Sequence, residues 1–230
     1  MIVSIFGPNG IVTATSAVDM YFDVKEENDY STLSPIKITG LPHIFTFWNK
    51  YVLVYKLMSP YSYDSSFIVK LHELENKWNT PPPINEFMPY LKKTIIDFNY
   101  QIQGIVSGYN FEGNGIEPYV YQILGDSVRR VNVDDSANPI FNCIYLEKTP
   151  VIWKLLQKTK ILNGDNWEEF PEIRIRYDLL SIEKAIDLCC FFLKTNHLAN
   201  NINLELFSNS LEINLVVMQP FNLEITNKII

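Results

Sequence analysis

Gly104-Ile105-Val106-Ser107-Gly108-Tyr109-Asn110, then Pro118-Tyr119-Val120-Tyr121-Gln122-Ile123 and Gly125, is the stretch on which the fold turns. Branched and aromatic side chains crowd this block, which predicts strands over 103–109 and 118–124. Gly125-Asp126 is short enough for a hairpin turn, so further strands follow over 127–133 and 140–146. Arg129 and Arg130 fall inside one of these strands. Alternation sends their guanidinium groups to opposite sheet faces, a structural role for the doublet.

Working outward toward the front, residues 2–6 read as a strand and 11–18 as its return, with small side chains on both faces. Gly7-Pro8-Asn9-Gly10 is the turn between them, carrying the Asn-Gly hairpin signal. Residues 19–35 hold Asp19, Asp23, Glu26, Glu27 and Asp29 and read as an exposed excursion. Strands follow at 36–40, 43–48 and 51–57. The aromatic side chains of Phe45, Phe47, Trp48, Tyr51 and Tyr55 read as sheet packing.

Helical spacing then takes over. Phe67, Leu71, Leu74 and Trp78 share one helix face, and Pro81-Pro82-Pro83 ends that helix for want of amide donors. Ile84, Phe87, Met88, Leu91, Ile95 and Phe98 mark a second helix, with Pro89 early in it. Thr149-Pro150 reads as the cap of a third, with Ile152, Leu155 and Leu156 on its apolar face. Residues 163–172 read as a polar loop. Ser181 caps a fourth helix lined by Ile182, Ala185, Ile186, Cys189 and Leu193. Final strands are expected at 202–207 and 211–219.

Strands linked by short turns pair antiparallel, and helices arriving in pairs cover the outer faces of stacked sheets. The expectation is an α+β fold. It is a four-layer αββα sandwich, two stacked and mostly antiparallel sheets flanked by helix pairs, in a single domain over 1–230.

Composition narrows the function. The 230 residues carry a net charge of −7, which opposes phosphate binding and nucleic-acid partners. The three cysteines, Cys143, Cys189 and Cys190, are odd in number and two are adjacent in an apolar helix. They read as reduced buried thiols, hence a cytoplasmic location. His43, His72 and His197 show no ligand spacing, so no metal and no cofactor is expected. No signal segment and no membrane-length apolar run is visible.

The central block resembles the inner strands of proteasome β-type and HslV-like proteins, the N-terminal-nucleophile hydrolases. Those carry a hydrophobic–Gly–Tyr–Asp … Pro–x–hydrophobic–Tyr–x–hydrophobic … Gly pattern. Leu180-Ser181-Ile182-Glu183-Lys184-Ala185 resembles the family's hydrophobic–Ser–x–Glu–x–Ala helix start. Gly10 to Thr15 resembles the strand after its first hairpin, and Leu211 to Pro220 its last core strand. The resemblance implies attack by an N-terminal Thr, Ser or Cys, with the free α-amino group as base.

Position by position, that chemistry is mostly missing. Met1 falls where the nucleophile belongs, and methionine offers no attacking oxygen or thiolate. No Gly-Thr, Gly-Ser or Gly-Cys junction occurs for processing. Ser16 falls where the family has an acid. The small-residue cleft motif is not visible over 54–59. Lys37, within Pro35-Ile36-Lys37-Ile38, matches the family's lysine strand and is the one vestigial candidate. Thr13, Thr15 and Ser16 lie beside no visible base and read as packing residues.

The sequence therefore implies a degenerate, non-catalytic family member acting as a binding or self-assembling structural protein. A homo-oligomer, ring or dimer, is the implied partner, with no membrane. The alternative is an active peptidase or amidohydrolase whose nucleophile is exposed by processing. A third reading is an unrelated α/β ligand-binding domain.

Overall fold

The computed structural model describes residues 1–16, 19–25, 32–38, 43–57, 65–97, 102–112, 115–146, 159–163, 166–170, 174–201 and 211–230. The first sheet joins β1 (Ile2–Gly7), β2 (Gly10–Ser16), β10 (Asn142–Leu146), β13 (Glu212–Gln219) and β14 (Asn222–Ile229), in the order β10-β1-β2-β13-β14. The second joins β5 (His43–Phe47), β6 (Tyr51–Leu57), β7 (Ile102–Glu112), β8 (Gly115–Leu124) and β9 (Ser127–Arg130), in sequence order. Every pairing in both is antiparallel. Among the described residues three α-helices accompany them: α1 (Ser65–Glu75), α2 (Ile84–Asp97) and α3 (Ile182–Asn201).

Alternation along the strands sends side chains into three separate cores. Ile2, Phe6, Ile11, Val52, Val54, Ile105, Val120 and Val216 meet in the layer between the sheets. On the other face of the second sheet, Phe45, Phe47, Tyr51, Leu53 and Tyr55 pack under Phe67 and Leu71 of α1 and Phe87 and Leu91 of α2. The expected aromatic packing is thus what holds the α1–α2 pair. On the other face of the first sheet, Val3, Ile5, Val12, Leu215 and Val217 pack under Ala185, Cys189 and Leu193 of α3. Fully burying side chains of this size is worth roughly 1.5–3 kcal/mol each.

The ends of these elements follow local chemistry. Ser181 Oγ accepts the backbone N–H of Lys184 at 3.3 Å, capping α3 as the sequence predicts. Pro83 O accepts the N–H groups of Glu86 and Phe87, so α2 starts on the proline turn and runs past Pro89 to Asp97. Asn110 Oδ1 accepts the Ile84 N–H at 3.2 Å and ties that start to β7. At the β1–β2 turn, a Cβ on Gly10 would lie 2.6 Å from Met218 O, so β13 can approach only a glycine there.

Some expectations are corrected. Residues read as an acidic excursion form a hairpin, β3 (Asp19–Lys25) with β4 (Thr32–Ile38). The supposed polar loop over 163–172 contains most of another, β11 (Thr159–Asn163) with β12 (Asn166–Phe170). The strand expected over 127–133 stops at Arg130. There the Asn132 side chain takes over from the backbone, accepting the Val120 N–H at 3.0 Å. Strand β14 is a further strand the sequence does not announce, because apart from Leu223 its side chains are exposed.

The four-layer sandwich calls for a helix pair on each sheet. The described residues place a pair on one sheet and α3 alone on the other. The fold shown is therefore α+β with two antiparallel five-stranded sheets and three helices. The helix expected from Thr149 and the strand expected over 202–207 lie outside the described residues.

Candidate functional site

The candidate site is the open end of β1 and β2, where Met1 precedes the first strand. Backbone pairing sets its shape: Ile2 faces Thr15 and Ser4 faces Thr13 across the hairpin. Met1 is 2 % exposed, and its thioether lies in the apolar cluster beneath α3. The α-ammonium donates to Ser16 Oγ at 3.2 Å. Met1 O accepts two bonds in return, from Thr15 Oγ1 at 3.1 Å and from Ser16 N at 3.4 Å. Deeper in the hairpin, Ser4 and Thr13 share a buried 2.8 Å hydroxyl–hydroxyl bond.

The β1–β2 register sets Met1 against Thr15 and Ser16, a contact the sequence does not foretell, since these hydroxyls read there as lying beside no base. Lys37 lies on β4 opposite Met20 of β3; its side chain lies outside the described residues. The chemistry available to the named groups is modest. A hydroxyl needs a neighbouring base to attack, and the α-amine here spends a hydrogen bond on Ser16.

The thiols are no better placed as nucleophiles. Burial pushes the Cys143 thiol up to about 12 and drives Cys189 well above its ordinary value. Burial also raises Cys190. These are thiols at neutral pH, and the thiolate is the attacking species. The histidines stay apart. His43 stacks on Tyr55 with centroids 5.1 Å apart, and burial lowers its pKa; His72 meets the edge of Phe45 at 4.8 Å. Among the described residues no three His, Cys, Asp or Glu side chains gather as a metal site.

Two polar features escaped the sequence reading. The first is a network on the second sheet. Arg130 donates to Glu117, to Asn132 Oδ1 at 3.1 Å and to Pro118 O at 3.2 Å, and covers the Tyr119 ring at 3.7 Å. Arg129 points the other way, donating to Gln122 Oε1 at 2.9 Å. The doublet does split between faces as expected, but the partners are set by long-range register that no local pattern displays.

The second feature is a cleft of about 200 Å³ where the β5–β6 and β13–β14 turns meet. Lys50, Tyr109, Phe111, Met218 and Phe221 line it. The Lys50 ammonium sits 5.1 Å from the Tyr51 ring centroid and 5.7 Å from that of Phe111, and burial lowers its pKa. The cleft is at the far end of β13 from Met1, because Ile213 faces Ser16 whereas Met218 faces Ile11.

No family model matches this chain, and no curated protein does. Among solved structures it is similar to Anbu (ancestral beta-subunit) from Yersinia bercovieri. The TM-score is 0.51 and the identity 14%, over 97% of this chain and 81% of that chain. Identity this low establishes likeness of fold and nothing further.

The assignment to the proteasome β-type and HslV-like family is thereby corrected. The motifs that suggested it mark strands and a capped helix of a related fold, and they do not amount to family membership. The described residues also show two antiparallel sheets with three helices, short of a clear αββα sandwich.

Proposed function

We propose that this chain is a non-catalytic protein that binds or self-assembles through its sheet surfaces. The observation that carries this reading is the state of the β1 end. Met1 is packed into the core beneath α3, and its amine is engaged by a serine hydroxyl where a carboxylate would be needed to tune it. The buried Ser4–Thr13 pair and the protonated thiols support the same reading, since each is built for packing. Likeness of fold to a protein described as a subunit favours assembly as the role. The reading includes a helix pair on each sheet and a cytoplasmic setting. Among the described residues, no helix is long and apolar enough to cross a membrane.

The test pairs intact-mass measurement of natively produced protein with an electrophilic probe for N-terminal nucleophiles. Retention of Met1 with no labelling is expected. A mature chain that begins with Thr, Ser or Cys and takes up the probe overturns the non-catalytic reading. Light scattering over a wide concentration range tests the assembly part, and a monomer throughout overturns it.

A further inference from the structure

Among the described edge strands of the two main sheets, β14 is the longest, with eight residues against five in β5, four in β9 and five in β10. Its register with β13 runs unbroken from Glu212↔Ile229 to Gln219↔Asn222. It has neither a bulge nor a proline, two of the devices by which proteins blunt a free edge. Among the described residues no strand pairs with its outer side.

Backbone parity tells which groups face outward. Leu211 and Ile230 exchange both backbone bonds at 2.9 Å, so they form a hydrogen-bonded pair. Such pairs alternate along an antiparallel ladder. Lys228, Thr226 and Glu224 therefore turn their amide and carbonyl groups toward β13. Leu223, Ile225, Asn227 and Ile229 turn theirs outward.

We infer that the outer edge of β14 pairs antiparallel with the same strand of a second copy, about a two-fold axis through Thr226. This deepens the self-assembly reading above and rests on it. Opposed residues on two edges must both face outward or both inward, so the axis has to pass through a residue position. Centring on Thr226 sets Glu224 against Lys228 twice, once on each side of the axis. It also sets Leu223 against Ile229, and Ile225 against Asn227. The outward backbone groups of all four latter residues then find partners, and Ile229, now 73% exposed, gains an apolar neighbour. The alternatives centred on Ile225 or Asn227 lose the paired charges. The product is one continuous ten-stranded sheet with α3 of both copies on the same face.

Three variants of the full chain test this by light scattering. Glu224→Lys places like charges opposite each other at both symmetric positions and should weaken dimerisation about tenfold or more. Adding Lys228→Glu restores the opposite-charge pairs and should restore the dimer. Thr226→Cys meets its own copy at a non-hydrogen-bonded position, where side chains approach closely. It should therefore cross-link to a covalent dimer under copper-phenanthroline oxidation. Ser127→Cys, on the β9 edge, should not. A wild-type assembly indifferent to Glu224→Lys, with no Thr226→Cys cross-link, overturns the β14 interface and leaves self-assembly standing. A wild-type chain that is monomeric throughout overturns both.

Discussion

Asn132 bridges Val120 and Arg130: its Oδ1 accepts the Val120 N–H at 3.0 Å and the Arg130 Nε–H at 3.1 Å, while its Nδ2 donates to Pro118 O at 2.7 Å. One buried amide thus supplies the acceptor for the Val120 N–H, while the Val131 N–H still donates to Val120 O at 2.9 Å. Asn132→Ala leaves a buried amide N–H and loses two further bonds, so it should cost about 2–4 kcal/mol. Arg130→Ala should cost less, about 1–2 kcal/mol, because Val120 keeps its acceptor and the arginine is partly exposed. Urea denaturation midpoints rank the two, and the reverse order refutes the account.

The same network gives a pH signature. Burial pushes the Glu117 carboxyl up, yet bonds from Arg130 and Tyr119 outweigh it and hold it below its ordinary value of 4.5. A depressed carboxylate stabilises the fold above its unfolded pKa, and that contribution is lost as pH falls through the lower folded value. Glu117→Gln should therefore be less stable than wild type at pH 7, and the difference should shrink through the acid range below 4.5. Denaturation at several pH values checks this. A gap that grows on acidification contradicts it.

Within the β1–β2 hairpin, Ser4→Ala strands the Thr13 hydroxyl in an apolar setting and should cost about 1–3 kcal/mol. The double change Ser4→Ala with Thr13→Val removes both polar groups and should recover much of that loss. A double-mutant cycle by thermal or urea unfolding reads the coupling. Strict additivity would mean that the 2.8 Å contact carries no energy.

Gly10 and Gly125 make a contrast. A Cβ at Gly10 would meet Met218 O at 2.6 Å and Ile182 Cδ1 at 2.7 Å, whereas at Gly125 (φ +60°) it meets nothing within 4 Å. Gly10→Ala should cost at least about 2 kcal/mol from overpacking. Gly125→Ala should cost only the left-handed backbone term, about 1 kcal/mol. Paired melting curves test the ranking.

The thiols offer a chemical readout. Cys143, raised to about 12 by burial, keeps its neutral form and the stability tied to it below its ordinary value of 9.0. That stability is lost as pH rises toward 12. A thiol-specific colorimetric reagent at pH 8 should react slowly with the native chain and find all three cysteines once it is denatured. Rapid native reaction of all three contradicts the burial.

The sequence discloses elements whose side chains are buried and hides those held by backbone pairing. The spacing of Phe67, Leu71 and Leu74, and of Ala185 and Cys189, announces helices because one face is apolar. Strands β3, β12 and β14 carry charged or amide side chains along much of their length. Their pairing comes from ladder bonds with a neighbour, which leave little hydrophobic pattern to read. The site divides the same way. The β1–β2 hairpin is legible from Asn9-Gly10, whereas the bond from the Met1 amine to Ser16 depends on register and side-chain placement that the sequence does not display. The Lys50–Phe111–Phe221 cleft joins turns from distant parts of the chain, and no short-range spacing encodes it.

Strand β13 has a consequence for the order of events in folding. It lies between β2 and β14, and Met218 accepts bonds from Ser107 and Tyr109 of the other sheet. Its neighbour Gln219 reaches Asn9 across a separation of 210 residues. Contacts so distant along the chain form slowly, because a long loop must close before they yield any stabilisation. During synthesis β2 therefore waits with an apolar flank open. Until β13 arrives, the inter-sheet cluster lacks Val216 and Met218.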